Sequence, residues 1–205
     1  MERRCPVDDN MKHAKIRVWL PVLMYCALAS LINSVISYLP FIPASLTTWI
    51  SRGIMLTMTF CMLQLAPVNE RYKKAGIMRA VMLGCALFTA FVFGSTLLTL
   101  AASIVSIIAV YQEYHGHSEL IAEMDAKLSG RWSSLFTWSI LAAVLLSFGA
   151  SVVAVILVLA DMEGGASRIS AIAIALLSIP QCIIDLVYIS YIKKMLALFE
   201  NKEVQ

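Results

Sequence analysis

The chain has 205 residues, of which 60% are hydrophobic and only 14% charged, with a formal net charge of +3. A soluble domain carries about a quarter charged residues, so a water-facing globular domain is excluded. The Lys and Arg residues stand at the ends of apolar runs, where they act as topology signals, and they carry no signature of nucleic-acid binding.

No charge occurs between Arg17 and Arg52, between Arg79 and Glu113, between Arg131 and Asp161, or between Arg168 and Asp185. Apolar runs beyond about 18 residues read as membrane spans. A first span is predicted over 18–39, retained because no A-x-A cleavage site follows it, and Pro40 and Pro43 mark the turn. A second runs over 46–66 and stops at Pro67. The next apolar stretch, Ala75 to Tyr114, would be about 60 Å long as one helix, twice the hydrocarbon thickness of roughly 30 Å. It divides at Gly94-Ser95 into spans over 75–93 and 95–114. The fifth span is predicted over 133–160 and ends at the polar turn Asp161-Met162-Glu163-Gly164-Gly165. The sixth covers 169–192 and is followed by Lys193-Lys194.

The fold class is therefore all-α: one polytopic membrane helix bundle of six transmembrane helices in three hairpins. With six spans, Arg3, Arg4, Lys12, Lys15, Arg17, Arg71, Lys73, Lys74, Lys127, Arg131, Lys193, Lys194 and Lys202 gather on one side and Arg168 lies opposite. Lys and Arg prefer the cytoplasm, so a multi-pass protein of the inner (cytoplasmic) membrane with both termini cytoplasmic is expected. Each odd-numbered span opens with an Arg beside an aromatic residue, in Arg17-Val18-Trp19, Arg71-Tyr72 and Arg131-Trp132, which suggests a repeat of one hairpin. Trp19, Tyr72, Arg131, Trp132 and Trp138 read as anchors at the lipid–water interface.

The polar interval 111–132 is predicted to be a cytoplasmic loop. It contains a short interfacial helix over about 118–128, with Leu120, Ile121, Met124 and Leu128 on its lipid face. A weaker reading takes His115, His117, Glu119 and Asp125 as a loop site with metal-ligand chemistry, although their spacing lacks a second diagnostic pair. No metal and no cofactor is expected. Cys26, Cys61, Cys85 and Cys182 lie in apolar runs without CxxC spacing and read as buried free thiols.

Inside the spans, Asp185 is the costliest residue. It lies about 12 Å before Lys193 along a helix, and a carboxylate at such depth costs roughly 2.5–3.5 kcal/mol unless paired or hydrated. Arg79 is at a similar depth from the same side, so Asp185 and Arg79 are the predicted ion pair, with Gln181 beside them. Pro180-Gln181 would free backbone carbonyls just above Asp185, so a proton or cation site is the functional alternative. Arg52 is expected to snorkel to the headgroups. Stripes of small residues at Gly76/Ala80/Gly84, Ser95/Thr99/Ser103, Ala143/Ser147/Ser151 and Ser167/Ala171/Ala175 predict close helix packing.

The pattern His117-Ser118-Glu119-Leu120, Asp125, Leu128-Ser129-x-Arg131-Trp132-x-x-Leu135-Phe136-x-Trp138 resembles an uncharacterised family of small bacterial multi-span membrane proteins. Asn69-Glu70-Arg71-Tyr72-Lys73-Lys74-Ala75 is similar to their first cytoplasmic loop. The resemblance covers a minor part of the chain; it implies a bacterial inner-membrane location and nothing catalytic. Walker A, HExxH and GxSxG signatures are absent, so an enzyme is not expected. The sequence favours a non-enzymatic accessory or interaction protein that meets the lipid bilayer and a membrane-protein partner or a second copy. The alternative is a small-solute or ion transporter or channel that uses Asp185 near Pro180.

Overall fold

The computed structural model describes residues 6–39, 41–91, 96–159 and 166–201. Among them are six helices and no strand: α1 Pro6–Ile36, α2 Ala44–Leu65, α3 Glu70–Phe91, α4 Thr96–Ile121, α5 Ala126–Leu159 and α6 Ala166–Asn201. Four of these contain stretches long and apolar enough to cross a membrane: Met11–Ile36, Ala44–Leu65, Ala126–Val153 and Ala175–Glu200. The chain is an all-α membrane helix bundle. The long apolar stretch after Lys74 forms two helices, as its length required; the break at 92–95 and the turn at 160–165 lie outside the described residues.

Local chemistry sets the helix ends. Pro67 cannot continue α2, and Asn69 then caps α3, its Oδ1 accepting the Arg71 backbone N–H at 2.8 Å. Asp125 caps α5 in the same way, its Oδ1 accepting the Leu128 N–H at 2.8 Å. Both caps satisfy donors that a helix start leaves unpaired.

Each helix packs against its neighbours in sequence, and α6 closes on α1, so the six form a ring. The ring is tight at the end that carries the loops 66–69 and 122–125, here called the charged end. There Leu20, Leu23, Met62, Leu65, Tyr72, Ile121, Trp132, Ile192 and Met195 are all fully buried in one cluster. Lipid-sized side chains such as Val18, Phe60, Phe88, Val144, Phe148 and Ile183 face outward along the apolar stretches. That outward apolar surface suits hydrocarbon and not water. Toward the other end the α1–α2 hairpin is clipped by Asn33, whose Nδ2 donates to Thr47 O at 3.1 Å and to Ser51 Oγ at 2.9 Å.

The interfacial helix over 118–128 does not form. Helix α4 runs on to Ile121, a turn takes 122–125, and α5 begins at Ala126. Ile121 and Leu128, assigned to lipid, belong to the buried cluster. The apolar spacing was genuine, but two longer helices share it and bury it against protein.

The small-residue stripes divide. At Gly76 a Cβ would stand 2.8 Å from Leu63 Cδ2 and 3.2 Å from its backbone nitrogen, so α2 and α3 touch here. Gly84 has open space around it, and Ala80, Ala143, Ser147 and Ser151 are exposed. The side chains of Ser95, Thr99, Ser167 and Ala171 lie outside the described ones. Gly76→Ala is expected to destabilise the protein by about 1–3 kcal/mol, the cost of overpacking. The melting temperature of the purified protein in detergent reads it; a value equal to wild type would refute the close approach.

Candidate functional site

The ring encloses a cavity of about 340 Å³ to which all six helices contribute. Ala27 and Ser30 come from α1, Met58 from α2 and Arg79 from α3; Ser106, Val110, Glu113 and Tyr114 come from α4, Ser139 and Ala143 from α5, and Gln181, Asp185 and Tyr188 from α6. The polar residues fall on single faces because their spacing is helical. Gln181, Asp185 and Tyr188 are at i, i+4 and i+7 on α6, and Ser106, Glu113 and His117 are at i, i+7 and i+11 on α4.

The predicted pair of Asp185 with Arg79 is not the one formed. Arg79 donates through Nη2 to Glu113 Oε2, and the side chains are 13% and 1% exposed. The other carboxylate oxygen, Glu113 Oε1, accepts the Tyr188 hydroxyl at 2.5 Å. Glu113, read in the sequence as an end-of-span residue, is thus the true partner of Arg79. Asp185 instead accepts Gln181 Nε2 at 3.1 Å, one turn away on its own helix. Among the described residues it makes no ion pair. Arg79 and Asp185 share the cavity without sharing a bond.

Above this pair, toward the charged end, a layer of buried aromatic side chains closes the ring. His117 is at its centre, fully buried. Its Nδ1 is 2.8 Å from the Tyr72 hydroxyl, its Nε2 is 3.3 Å from the Tyr188 hydroxyl, and its ring lies 4.6 Å from that of Trp132. Tyr188 spends its single proton on Glu113, so Nε2–H must donate to the Tyr188 oxygen. Nδ1 then accepts from Tyr72, which makes the imidazole neutral and satisfied on both nitrogens. His117 lies beyond Tyr114, outside the predicted span. Burial lowers its pKa to about 4, against the raising influence of Glu113. Gly116 lets the Tyr72 ring pass, since a Cβ there would stand 3.1 Å from Tyr72 Cε1.

The proposed loop ligands therefore part company. Residues two apart on a helix point about 200° from one another, so His115 and His117 do not converge. His115 lies tilted against the Tyr111 ring at 4.3 Å, Glu119 receives Arg71 Nε and Asn69 Nδ2, and Asp125 caps α5. Among the described residues no three His, Cys, Asp or Glu side chains stand together as metal ligands would. The interface anchors divide as well. Tyr72 and Trp132 are fully buried in the closing layer, Trp19 packs edge-on against Phe60 at 5.3 Å, and Arg131 and Trp138 are exposed. Arg52 lies over the Trp49 ring at 4.9 Å.

Away from the charged end the cavity continues. Ser106, Ile107, Ile140 and Ala143 line both it and a crevice of about 770 Å³ between α4 and α5, which Ser103, Ser147 and Ser151 extend. The α5 stripe Ala143/Ser147/Ser151 thus borders a gap and is not a packing seam. The cavity is shut by aromatic side chains on one side and leads on the other into a mostly apolar crevice that carries Ser103, Ser106, Ser147 and Ser151. No family model, no curated protein and no solved structure matches this chain.

Proposed function

We propose that the chain is a non-enzymatic carrier of a small cationic solute or ion. All six helices cross the cytoplasmic membrane, and the charged end faces the cytoplasm. One observation carries this reading: Asp185, a carboxylate within an apolar stretch, faces a cavity lined by every helix and, among the described residues, has only Gln181 to hold it. Glu113 and Arg79 cancel each other, so Asp185 is the cavity's uncompensated charge. A buried anion calls for a cation or a proton. Pro180 lines the outer face between α5 and α6 and not this cavity, so the site rests on Asp185 and Gln181.

The orientation is supported by Lys12, Lys15, Arg17, Arg71, Lys73, Lys74, Lys127, Arg131, Lys193 and Lys194, which all belong to the charged-end segments. Cysteines placed at Asn10 and Asn201 should both be labelled from the cytoplasmic side only; labelling from opposite sides would rule out six crossings.

Flux into proteoliposomes tests the carrier itself, with a panel of inorganic and small organic cations and with protons. Asp185→Asn is expected to lower the transported rate at least about tenfold, a change of about 1.4 kcal/mol or more, while Asp185→Glu keeps part of it. Absence of flux for the whole panel, or flux unaltered by Asp185→Asn, would favour the interaction-protein reading, in which Asp185 is structural.

A further inference from the structure

We propose that a groove on the outside of the ring, between α5 and α6, binds one anionic phospholipid, its headgroup on Arg131 and an acyl chain laid along Leu141 and Ile183. The groove encloses about 430 Å³ and shares no lining residue with the central cavity. The proposal rests on α5 and α6 lying in the bilayer and is independent of the carrier reading.

Three observations point to this occupant. The groove's polar groups gather at its charged-end mouth, where Arg131, Ser134 and Tyr191 stand; among the described residues no carboxylate lines it. Below the mouth the walls are aliphatic or aromatic, with Trp138 61% exposed and Ile183 55% exposed. Lys194 adds a second cation at the mouth, its ammonium 5.8 Å above the Tyr191 ring that lines the groove. Arg131 makes no ion pair with a described residue.

The dimensions agree. From Arg131 to Leu145 helix α5 rises about 21 Å. One leaflet offers about 15 Å of hydrocarbon, and its headgroup layer extends that by several ångströms. A chain in the groove therefore brings a phosphate to the level of Arg131, where the guanidinium can donate two parallel hydrogen bonds. A zwitterionic lipid would offer the same chain but no net charge to these cations.

Trp138 provides the readout. The full chain is placed in phosphatidylcholine vesicles containing chain-brominated phosphatidylglycerol or, separately, chain-brominated phosphatidylcholine, and tryptophan quenching is titrated. Phosphatidylglycerol is expected to quench with roughly fivefold higher apparent affinity, as about 1 kcal/mol per basic residue allows. Trp138→Phe should remove the preferentially quenched component. Arg131→Gln should reduce the preference, and Arg131→Gln combined with Lys194→Gln should bring the two lipids to near equality. Ile183→Phe, which fills the groove and leaves Arg131 in place, should abolish the preference too. Equal quenching by both lipids in the wild type overturns the site. A preference undiminished by Arg131→Gln also overturns it, and one that survives Ile183→Phe assigns the effect to general surface charge and overturns the groove.

Discussion

Glu113→Ala is expected to destabilise the protein by about 3–5 kcal/mol, the cost of leaving one member of a buried ion pair alone. Glu113 is 1% exposed, and its two carboxylate oxygens hold Arg79 Nη2 and the Tyr188 hydroxyl. Its loss leaves the Arg79 guanidinium without its hydrogen-bonded counter-charge, and Arg79 Nε already lacks a hydrogen-bond partner among the described residues. Glu113→Gln keeps an acceptor for Tyr188 yet removes the charge, so it should recover only a minor part. Replacing both partners by leucine should recover most of the loss, since a buried pair and an apolar pair of similar volume differ little. Denaturant titration of the purified protein in detergent measures all three. A single Glu113→Ala cost below about 1 kcal/mol would contradict the pairing.

Lowering the pH from 7.5 to 5 should destabilise the protein, and His117 should account for much of the change. Its folded pKa is about 4, whereas the unfolded value is near 6.5. Between these values the unfolded chain binds a proton that the folded chain refuses, so stability falls as pH falls. Above 6.5 neither state is protonated, and below about 4 both are, so the loss is confined to that window. In full it is about 3 kcal/mol at 1.36 kcal/mol per pKa unit. The geometry explains the sign: a proton on Nδ1 would oppose the Tyr72 hydroxyl that donates to it. His117→Gln has no titrating group and should show a flatter dependence of melting temperature between pH 7.5 and 5. A variant profile parallel to wild type would exclude His117 as the cause.

The closed aromatic layer connects these two expectations to the proposed carrier reading. His117, Trp132, Tyr72 and Tyr188 seal the charged end of the cavity, and Arg79–Glu113 is the layer's next contact inward. A carrier that exposes its site alternately must part such a layer without leaving charges stranded. The neutral His117 and the internally cancelled Arg79–Glu113 pair keep that cost low compared with isolated buried ions.

Composition and charge spacing alone determined that the chain is helical and membrane-embedded. Hydrocarbon tolerates only backbone that bonds to itself, and the apolar run lengths leave helices as the available form. Pro67 marked the end of α2, whereas Asp125, read inside a short helix, proved to be the cap of α5. Of Pro180, Gln181 and Asp185, the last two reached the cavity and Pro180 lines the outer α5–α6 groove. Depth along a helix can be read from sequence; azimuth around the ring cannot. Asp185 and Arg79 were matched by depth, but ring closure turned Arg79 toward Glu113 on the adjacent α4 and left Asp185 to Gln181. The i,i+4 spacing of Glu113 and His117 was the available signal, obscured because both stand inside the polar interval 111–132 that reads as a loop. Tyr72 and Trp132 likewise carry the pattern of interface anchors, and only the convergence of α3, α5 and α6 around His117 made them core. Which face of each helix meets which neighbour is a property of the closed ring, and that was decided by tertiary structure alone.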